Sequence, residues 1–300
     1  MLAPKAEPGT WVSDAAREKF MAAYDRAFTL WPQPYEEFDI ETATTTTRVH
    51  AYRPRAGGTP IVLLPPAGYN AAYGSLHVKA LAQDGPVYVI DIPGDPNPSV
   101  ARAPIATPDA SAAWLDELLG QLSNGPAHLV GVSYGGWVAM NQAIRAPGRV
   151  ASLTLLDPAG LTKLDARFWW WLAISGLATR TPMPLRRRLA RWLDLPFMLK
   201  PELIDLMWAG SRGFRMEPKF PAVLTDDELR AITVPVLLVT GARSALITPD
   251  QARDRGRVMP RAEVVIVPGS HGGFDRLDQL NQRMVAFIAA HPAVRAPEPN

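Results

Sequence analysis

Short, mostly apolar runs alternate along the chain with longer segments in which apolar residues recur at helical spacing. Such runs are typical of strands that are buried on both faces of a parallel sheet. They occupy residues 61–64, 87–90, 127–130, 150–156, 236–239 and 264–267. Because helical segments separate them, the pattern predicts an α/β protein with a mostly parallel sheet flanked by helices on both faces.

This alternation is interrupted between residues 160 and 233, where residues 168–174 are strongly apolar and residues 186–193 form a basic, amphipathic stretch. We predict a core of residues 1–160 and 225–300, with residues 161–224 forming a helical cap over the strand ends. Ligand clefts form where a cap meets a core, so one or two of the tryptophans at 169, 170 and 171, with Trp169 and Trp170 as first choices, are expected to line an apolar substrate pocket. Packing of the cap on the core is the alternative explanation for these tryptophans.

Composition narrows the possible functions. The 300 residues are 47% hydrophobic, enough for one large domain with an insertion, and contain no cysteine, which excludes disulfides, thiolate metal sites and cysteine nucleophiles. The first residues lack the apolar segment of a secretory signal, and the run at residues 168–179 is shorter than the ~20 residues of a membrane span. We expect a soluble, cytoplasmic protein with no transmembrane segment and no nucleic-acid partner.

A serine lies at the boundary between the third apolar run and the helical segment that follows it, in Gly131-Val132-Ser133-Tyr134-Gly135. A serine at such a turn has an exposed side chain beside the N–H groups of the helix start. The backbone there is strained and closely approached, so a Cβ on either flanking residue would collide with its neighbours. The context predicts that Ser133 is a nucleophile; a glycine-rich turn without chemistry is the alternative.

Serine needs a base to take its proton, and the chain offers five histidines. His271 follows the last apolar run in a glycine-rich loop, at the carboxyl end of a predicted strand like Ser133, where parallel sheets place their sites. The others lie within a strand, in the early strands, in a helix and in the tail (His128, His50, His77 and His291). We therefore predict that His271 is the base.

Taken together, these motifs resemble the α/β-hydrolase superfamily from about residue 49 to residue 290. The segments that carry the resemblance are Leu63-Leu64-Pro65-Pro66-Ala67-Gly68, Asp91-Ile92-Pro93-Gly94, Gly131-Val132-Ser133-Tyr134-Gly135-Gly136, Leu155-Leu156-Asp157-Pro158-Ala159-Gly160, Pro235-Val236-Leu237-Leu238-Val239-Thr240-Gly241 and Pro268-Gly269-Ser270-His271-Gly272. The resemblance implies the α/β-hydrolase fold, Ser133 as nucleophile, and His271 as general base and then acid.

The oxyanion loop departs from the family pattern, which begins His-Gly where this chain has Pro65-Pro66. Proline has no N–H, so Pro66 cannot donate to an oxyanion. The resemblance then implies the backbone N–H groups of Ala67, with Gly68 as an alternative, and of Tyr134 as donors. Gly68 is also expected to contact the substrate.

The acid that orients the histidine is the second departure. The usual family position carries Ser244 here, and serine cannot offset the charge of an imidazolium. In some haloalkane dehalogenases and polyketide synthase thioesterase domains the acid follows an earlier strand, which maps onto Asp157. Asp250, or no acid at all, remains the alternative.

We therefore expect a serine hydrolase that cleaves carboxylic esters of fairly apolar small molecules through an acyl-enzyme, without metal or organic cofactor. One alternative is a thioesterase or acyltransferase acting on chains bound to an acidic acyl-carrier protein, because residues 160–220 hold 11 Lys+Arg against 5 Asp+Glu. A non-catalytic ligand-binding member of the fold is another, because the usual acid is missing.

Overall fold

The structure is a computed structural model that describes residues 9–83, 85–217, 221–271, 273–274 and 276–293. The first eight residues, most of the proline-rich tail and Gly272 of the histidine loop lie outside the described residues.

Twelve strands are found within the described residues. They are β1 (Thr10–Trp11), β2 (Tyr35–Glu41), β3 (Thr45–Tyr52), β4 (Ile61–Leu64), β5 (Val87–Ile90), β6 (Val100–Ala101), β7 (Ala127–Val132), β8 (Val150–Leu156), β9 (Phe214–Arg215), β10 (Val236–Arg243), β11 (Ala262–Ser270) and β12 (Gly273–Phe274).

Ten α-helices within the described residues connect and cover these strands. They are α1 (Asp14–Phe28), α2 (Val78–Leu81), α3 (Pro108–Leu122), α4 (Tyr134–Arg145), α5 (Ala166–Ala178), α6 (Met183–Leu193), α7 (Pro201–Gly213), α8 (Asp226–Arg230), α9 (Pro249–Val258) and α10 (Leu277–Ala289). Short 3₁₀ helices occupy Ala71–Leu76, Pro147–Arg149 and Pro196–Leu199.

One large sheet has the strand order β12-β11-β10-β8-β7-β4-β5-β3-β2, with β6 paired to β3. The consecutive pairs from β11 to β5 are parallel, and β2, β3 and β12 add antiparallel edges. Residues of α3, α4, α8 and α9 pack against one face, and residues of α1, α2 and α10 against the other. The α/β-hydrolase fold predicted from the apolar runs is confirmed, since those runs are the central strands.

This order puts four carboxyl ends side by side. β7, β8, β10 and β11 are neighbours in the sheet, in the sequence β11-β10-β8-β7. Residues that follow these strands therefore meet at one edge, and Ser133, Asp157 and His271 follow β7, β8 and β11, respectively.

Residues 161–224 contain α5, α6, α7 and β9, so the described part of the interrupted segment is mostly helical. A small apolar cluster holds these helices together, formed by Ala178, Ala190, Leu193, Leu195, Met198 and Ile204. The segment also contacts the start of the chain, because β9 pairs with β1 in a separate two-stranded sheet. Among the described helices, none is both long and apolar enough to span a bilayer.

Candidate active site

Ser133 occupies a strained turn between β7 and α4, with φ 49° and ψ −112°. Its backbone is fixed on both sides, because its N–H donates to the Leu156 carbonyl at 3.0 Å and its carbonyl accepts from Ala159 N–H at 2.9 Å. A non-glycine residue keeps such a conformation only where the surroundings over-determine it, and such strain clusters at functional sites. The sheet thus holds Ser133 at the edge where the strands end.

Two glycines around the serine are required by close packing. A Cβ on Gly131 would lie 2.5 Å from the Gly135 carbonyl oxygen, and a Cβ on Gly135 would collide with the Leu64 carbonyl. Real Cβ atoms do not approach backbone that closely, so the chain can make this turn only with glycine at both positions.

His271 lies just beyond the end of β11 and is 5% exposed. Its ring packs edge-on against two aromatic rings of α5, with centroid distances of 5.7 Å to Phe168 and 5.1 Å to Trp171. These contacts restrict the rotation of the imidazole and shield it from water.

Asp157 follows β8 directly, is fully buried and has φ 43°. Its Oδ1 accepts hydrogen bonds from the Thr240 hydroxyl and, at 3.3 Å, from Gly241 N–H. Its Oδ2 faces Nδ1 of His271 at 3.7 Å. Both of these facing atoms are buried and have no hydrogen-bond partner within the described residues. The geometry therefore leaves one carboxylate oxygen available to the imidazole.

The other candidate acids are engaged elsewhere. Ser244 is buried, and its Oγ accepts the N–H groups of Leu246 and Ile247 at 3.2 and 3.4 Å. Asp250 has a side chain that is 91% exposed, and it pairs with Arg253 at 2.8 Å near the start of α9. Ser244 thus closes a local turn, and the structure brings Asp157, not Asp250, to His271.

The loop after β4 lies beside the serine. It turns at Pro66, whose carbonyl accepts from Tyr69 N–H at 3.1 Å, and Gly68 adopts φ 77°. Gly68 N–H donates to Oδ1 of the fully buried Asp95 at 3.2 Å. This contact favours Ala67 over Gly68 as the oxyanion donor, because a carboxylate already accepts the Gly68 N–H. Ala67 remains, with Tyr134, the first residue of α4.

An apolar cavity of about 20 Å³ lies between this loop and the helical segment. Its lining includes Gly68, Tyr69 and Tyr73 from the core, and Phe197, Leu203 and Met207 from the helical segment. Burial raises the pKa of the Tyr69 and Tyr73 phenols, so both stay neutral. The cavity has room for about one water molecule, and Ser133, Asp157 and His271 are not among its lining residues.

The expected position of the tryptophans needs correction. Trp169 and Trp170 are 50% and 69% exposed, whereas Trp171 is the tryptophan that contacts His271. The cause is helix geometry, because residues three apart share a face, and Phe168 and Trp171 form the inward face of α5. That spacing was visible in the sequence and would have selected Phe168 and Trp171 instead.

The chain is similar to known hydrolases along most of its length. The model of the alpha/beta hydrolase family matches residues 61–283. Carboxylesterase YbfK of Bacillus subtilis (strain 168) is 28% identical over 294 residues, covering 90% of this chain and 93% of the relative. The uncharacterized carboxylesterase nap of the same strain is 28% identical over 287 residues, covering 92% and 94%.

A solved structure is similar along nearly the whole chain. The crystal structure of naproxen esterase (carboxylesterase NP) from Bacillus subtilis superposes with a TM-score of 0.79 at 25% identity, covering 92% of this chain and 99% of the other.

Proposed function

Because the chain belongs to the alpha/beta hydrolase family, we propose that it is a serine carboxylesterase that cleaves esters of fairly apolar substrates through an acyl-enzyme. The full-length similarity to carboxylesterases supports ester cleavage. The observation that carries the proposal is the buried Asp157 carboxylate facing His271 at 3.7 Å, at the strand ends where Ser133 also lies.

In the proposed first half-reaction, Ser133 Oγ attacks the ester carbonyl carbon while His271 Nε2 takes the hydroxyl proton. Asp157 faces the other nitrogen, so its negative charge stabilises the imidazolium that forms. The N–H groups of Ala67 and Tyr134 hold the oxyanion. His271 then gives its proton to the departing alkoxide, which leaves the acyl group on Ser133.

The second half-reaction repeats these roles with water. His271 takes a proton from a water molecule, the resulting hydroxide attacks the acyl carbon, and Ser133 leaves with the proton restored. The burial of His271 and Asp157 strengthens their electrostatic interaction, because little water screens it. None of these steps involves a metal or an organic cofactor.

We also propose that residues 161–224 form a cap that shapes the substrate site. Two contacts support this role: Phe168 and Trp171 lie against His271, and Phe197, Leu203 and Met207 close the apolar cavity. The cavity has room for little more than one water molecule, so an acyl group could enter it only if the cap opened.

The test combines labelling with turnover. A fluorophosphonate probe should label the wild-type protein once, at Ser133, and mass spectrometry of the peptide containing residues 127–145 should locate the adduct. Parallel assays with p-nitrophenyl esters and with the corresponding acyl thioesters should show faster turnover of the ester. A protein that turns over neither substrate and resists the probe would contradict catalysis and favour a binding role.

A further inference from the structure

One helix of the cap exposes most of an unusually apolar surface. α5 buries only Ser175 and Ala178, and its large apolar side chains reach solvent. The exposed ones are Trp169 (50%), Trp170 (69%), Leu172 (45%), Ile174 (38%) and Leu177 (64%). A helix that is apolar all round is normally buried, and a contiguous exposed apolar patch marks a surface that binds something.

The neighbouring helix extends this surface and adds positive charge. α6 packs beside α5 and exposes Leu185 and Trp192 at 47% and 61%. Arg187, Arg188 and Arg191 of α6 are also exposed. Between residues 166 and 193 the sequence holds six arginines and no aspartate or glutamate. We call the exposed side chains of α5 and α6 the cap face.

We propose that the cap face docks on the surface of an anionic lipid membrane, with α5 and α6 lying in the plane of the interface. Such helices carry Trp and Leu on the side that enters the headgroup boundary and Arg or Lys beside it. Tryptophan is well placed there, because its ring is apolar and its N–H can reach polar headgroups. The arginines are attracted by anionic headgroups.

Charge and chemistry favour this occupant over two others. A second copy of the chain meeting through the same face would bring one arginine cluster towards another, with no acid on either helix between residues 166 and 193 to compensate. An acidic carrier protein would match the arginines but would leave the exposed Trp170, Leu177 and Trp192 without an apolar counterpart of their own. A lipid surface satisfies both the charge and the apolar side chains.

The orientation of α5 connects this surface to the candidate active site. Phe168 and Trp171 contact His271 on the inward face, while Trp170 and Leu177 point outward from the same helix. Docking would therefore bring the cap and the site beneath it close to molecules dissolved in the lipid. Membrane binding itself does not depend on ester hydrolysis, so it can be measured separately.

The test is co-sedimentation of the full chain with vesicles of phosphatidylglycerol and phosphatidylcholine, against vesicles of phosphatidylcholine alone. We expect binding to the anionic vesicles that weakens as NaCl is raised from 0.05 to 0.5 M. The double variant Leu177→Glu/Trp192→Glu should bind at least about tenfold more weakly, because the apolar contact is lost. Replacing Arg187, Arg188 and Arg191 by Gln should weaken binding on the order of 100-fold, at about fivefold per arginine.

The control is Val100→Glu, which introduces one glutamate, half the charge that the double variant adds, at a 52% exposed valine on β6, outside the cap face. It should bind as the wild type does, and circular dichroism should confirm that every variant is folded. If the double variant fails to fold, the variant with Gln at positions 187, 188 and 191 still tests whether the cap face carries the binding.

Three results would overturn the proposal. The first is no binding of wild type to anionic vesicles. The second is binding that the cap-face variants leave unchanged. The third is a concentration-dependent dimer, or a complex with an acidic carrier protein, that the same variants abolish while vesicles remain unbound.

Discussion

Asp157 and His271 face each other across 3.7 Å, measured from Oδ2 to Nδ1, and the structure gives neither atom a hydrogen-bond partner within the residues it describes. A buried polar atom without a hydrogen-bond partner destabilises the fold by about 1–3 kcal/mol. A hydrogen bond between Asp157 and His271 would therefore be favourable. A movement of less than 1 Å would bring them to hydrogen-bond distance, and catalytic hydrogen bonds are often long before substrate binds.

The Asp157 carboxylate is itself held in place. Oδ1 is bound by the Thr240 hydroxyl and by Gly241 N–H, both on β10, the strand between β8 and β11 in the sheet. The neighbouring strand thus orients the acid so that Oδ2 faces the histidine. Ser244 occupies the position that usually carries the histidine-orienting acid in the family, and its Oγ closes a local turn.

Replacing the proposed nucleophile tests the chemistry directly. Ser133→Ala should retain the fold but lose turnover of p-nitrophenyl esters by about 10³-fold or more. The side chain is small and lies at the sheet edge, so the thermal transition should stay close to that of the wild type. Loss of fluorophosphonate labelling should accompany the loss of rate. Turnover near the wild-type level would show that another group is the nucleophile.

Neutralising the acid tests its role. Asp157→Asn should lower kcat by roughly 10⁴-fold, because the imidazolium loses its compensating charge and the amide can favour the wrong tautomer. The matched control is Asp250→Asn, whose side chain is exposed and pairs with Arg253, and which should change kcat little. If Asp250→Asn were the damaging change, the acid would come from α9. If neither mattered, the enzyme would work as a Ser–His dyad.

The orientation of α5 makes it possible to test whether Trp171, and not Trp170, lines the substrate site. Trp171→Ala should raise KM for esters with long or aromatic acyl groups more than for acetate esters, because the ring lies 5.1 Å from that of His271. Trp170→Ala removes an equal side chain from the outward face and should leave both KM values unchanged with water-dissolved substrates. Equal effects of the two changes would mean that both rings reach the substrate.

Close packing at the serine turn predicts a stability effect. Gly135→Ala should lower the free energy of unfolding by about 1–3 kcal/mol and reduce turnover, because the new Cβ would collide with the Leu64 carbonyl. Gly148→Ala is the control, since a Cβ there would meet nothing within 4 Å. Urea unfolding of both variants measures the difference. A Gly135→Ala protein as stable as the wild type would contradict the packing argument.

Two buried histidines predict how stability depends on pH. Burial lowers the pKa of His77 and His128 from the ordinary 6.5 to about 4. Between pH 6.5 and 4 the unfolded chain binds more protons than the folded one, so the free energy of unfolding should rise with pH in that window and level off above it. The full effect is on the order of 3 kcal/mol for each histidine.

Urea titrations at pH 7.5, 5.5 and 4.5 would measure this dependence. His128→Asn should reduce the slope by about half, because one of the two low-pKa groups is gone. Since the readout is the slope and not the stability itself, the lost hydrogen bond between His128 and Ser152, 2.8 Å in the structure, does not obscure it. A wild-type protein whose stability is flat from pH 7.5 to 4.5 would contradict the prediction.

Much of the fold could be read from local sequence. The apolar runs at residues 61–64, 87–90 and 236–239 became central strands, because burial on both faces leaves little room for polar residues. The order of such strands and helices is enough to bring Ser133 and His271 to one edge of the sheet. Ester hydrolysis, expected from that arrangement, agrees with the similarity to carboxylesterases.

Other features depend on contacts between distant segments. The sequence could not indicate that Gly68 N–H would meet Asp95, 27 residues away, because no local pattern records that contact. The choice of Trp169 and Trp170 was wrong because successive residues on a helix point in different directions, and Trp171 is the tryptophan that lies on the inward face of α5.

The pairing of β1 with β9 has a consequence for engineering chimaeras. Trp11 pairs with Phe214, and Val12 N–H donates to the Gly213 carbonyl at 2.9 Å, so the far end of the cap is held by the beginning of the chain. If residues 161–224 alone were transplanted into a relative, β9 would have to pair with the relative's own N-terminal segment instead of β1. A chimaera intended to exchange substrate specificity between relatives should therefore exchange residues 9–28 together with residues 161–224.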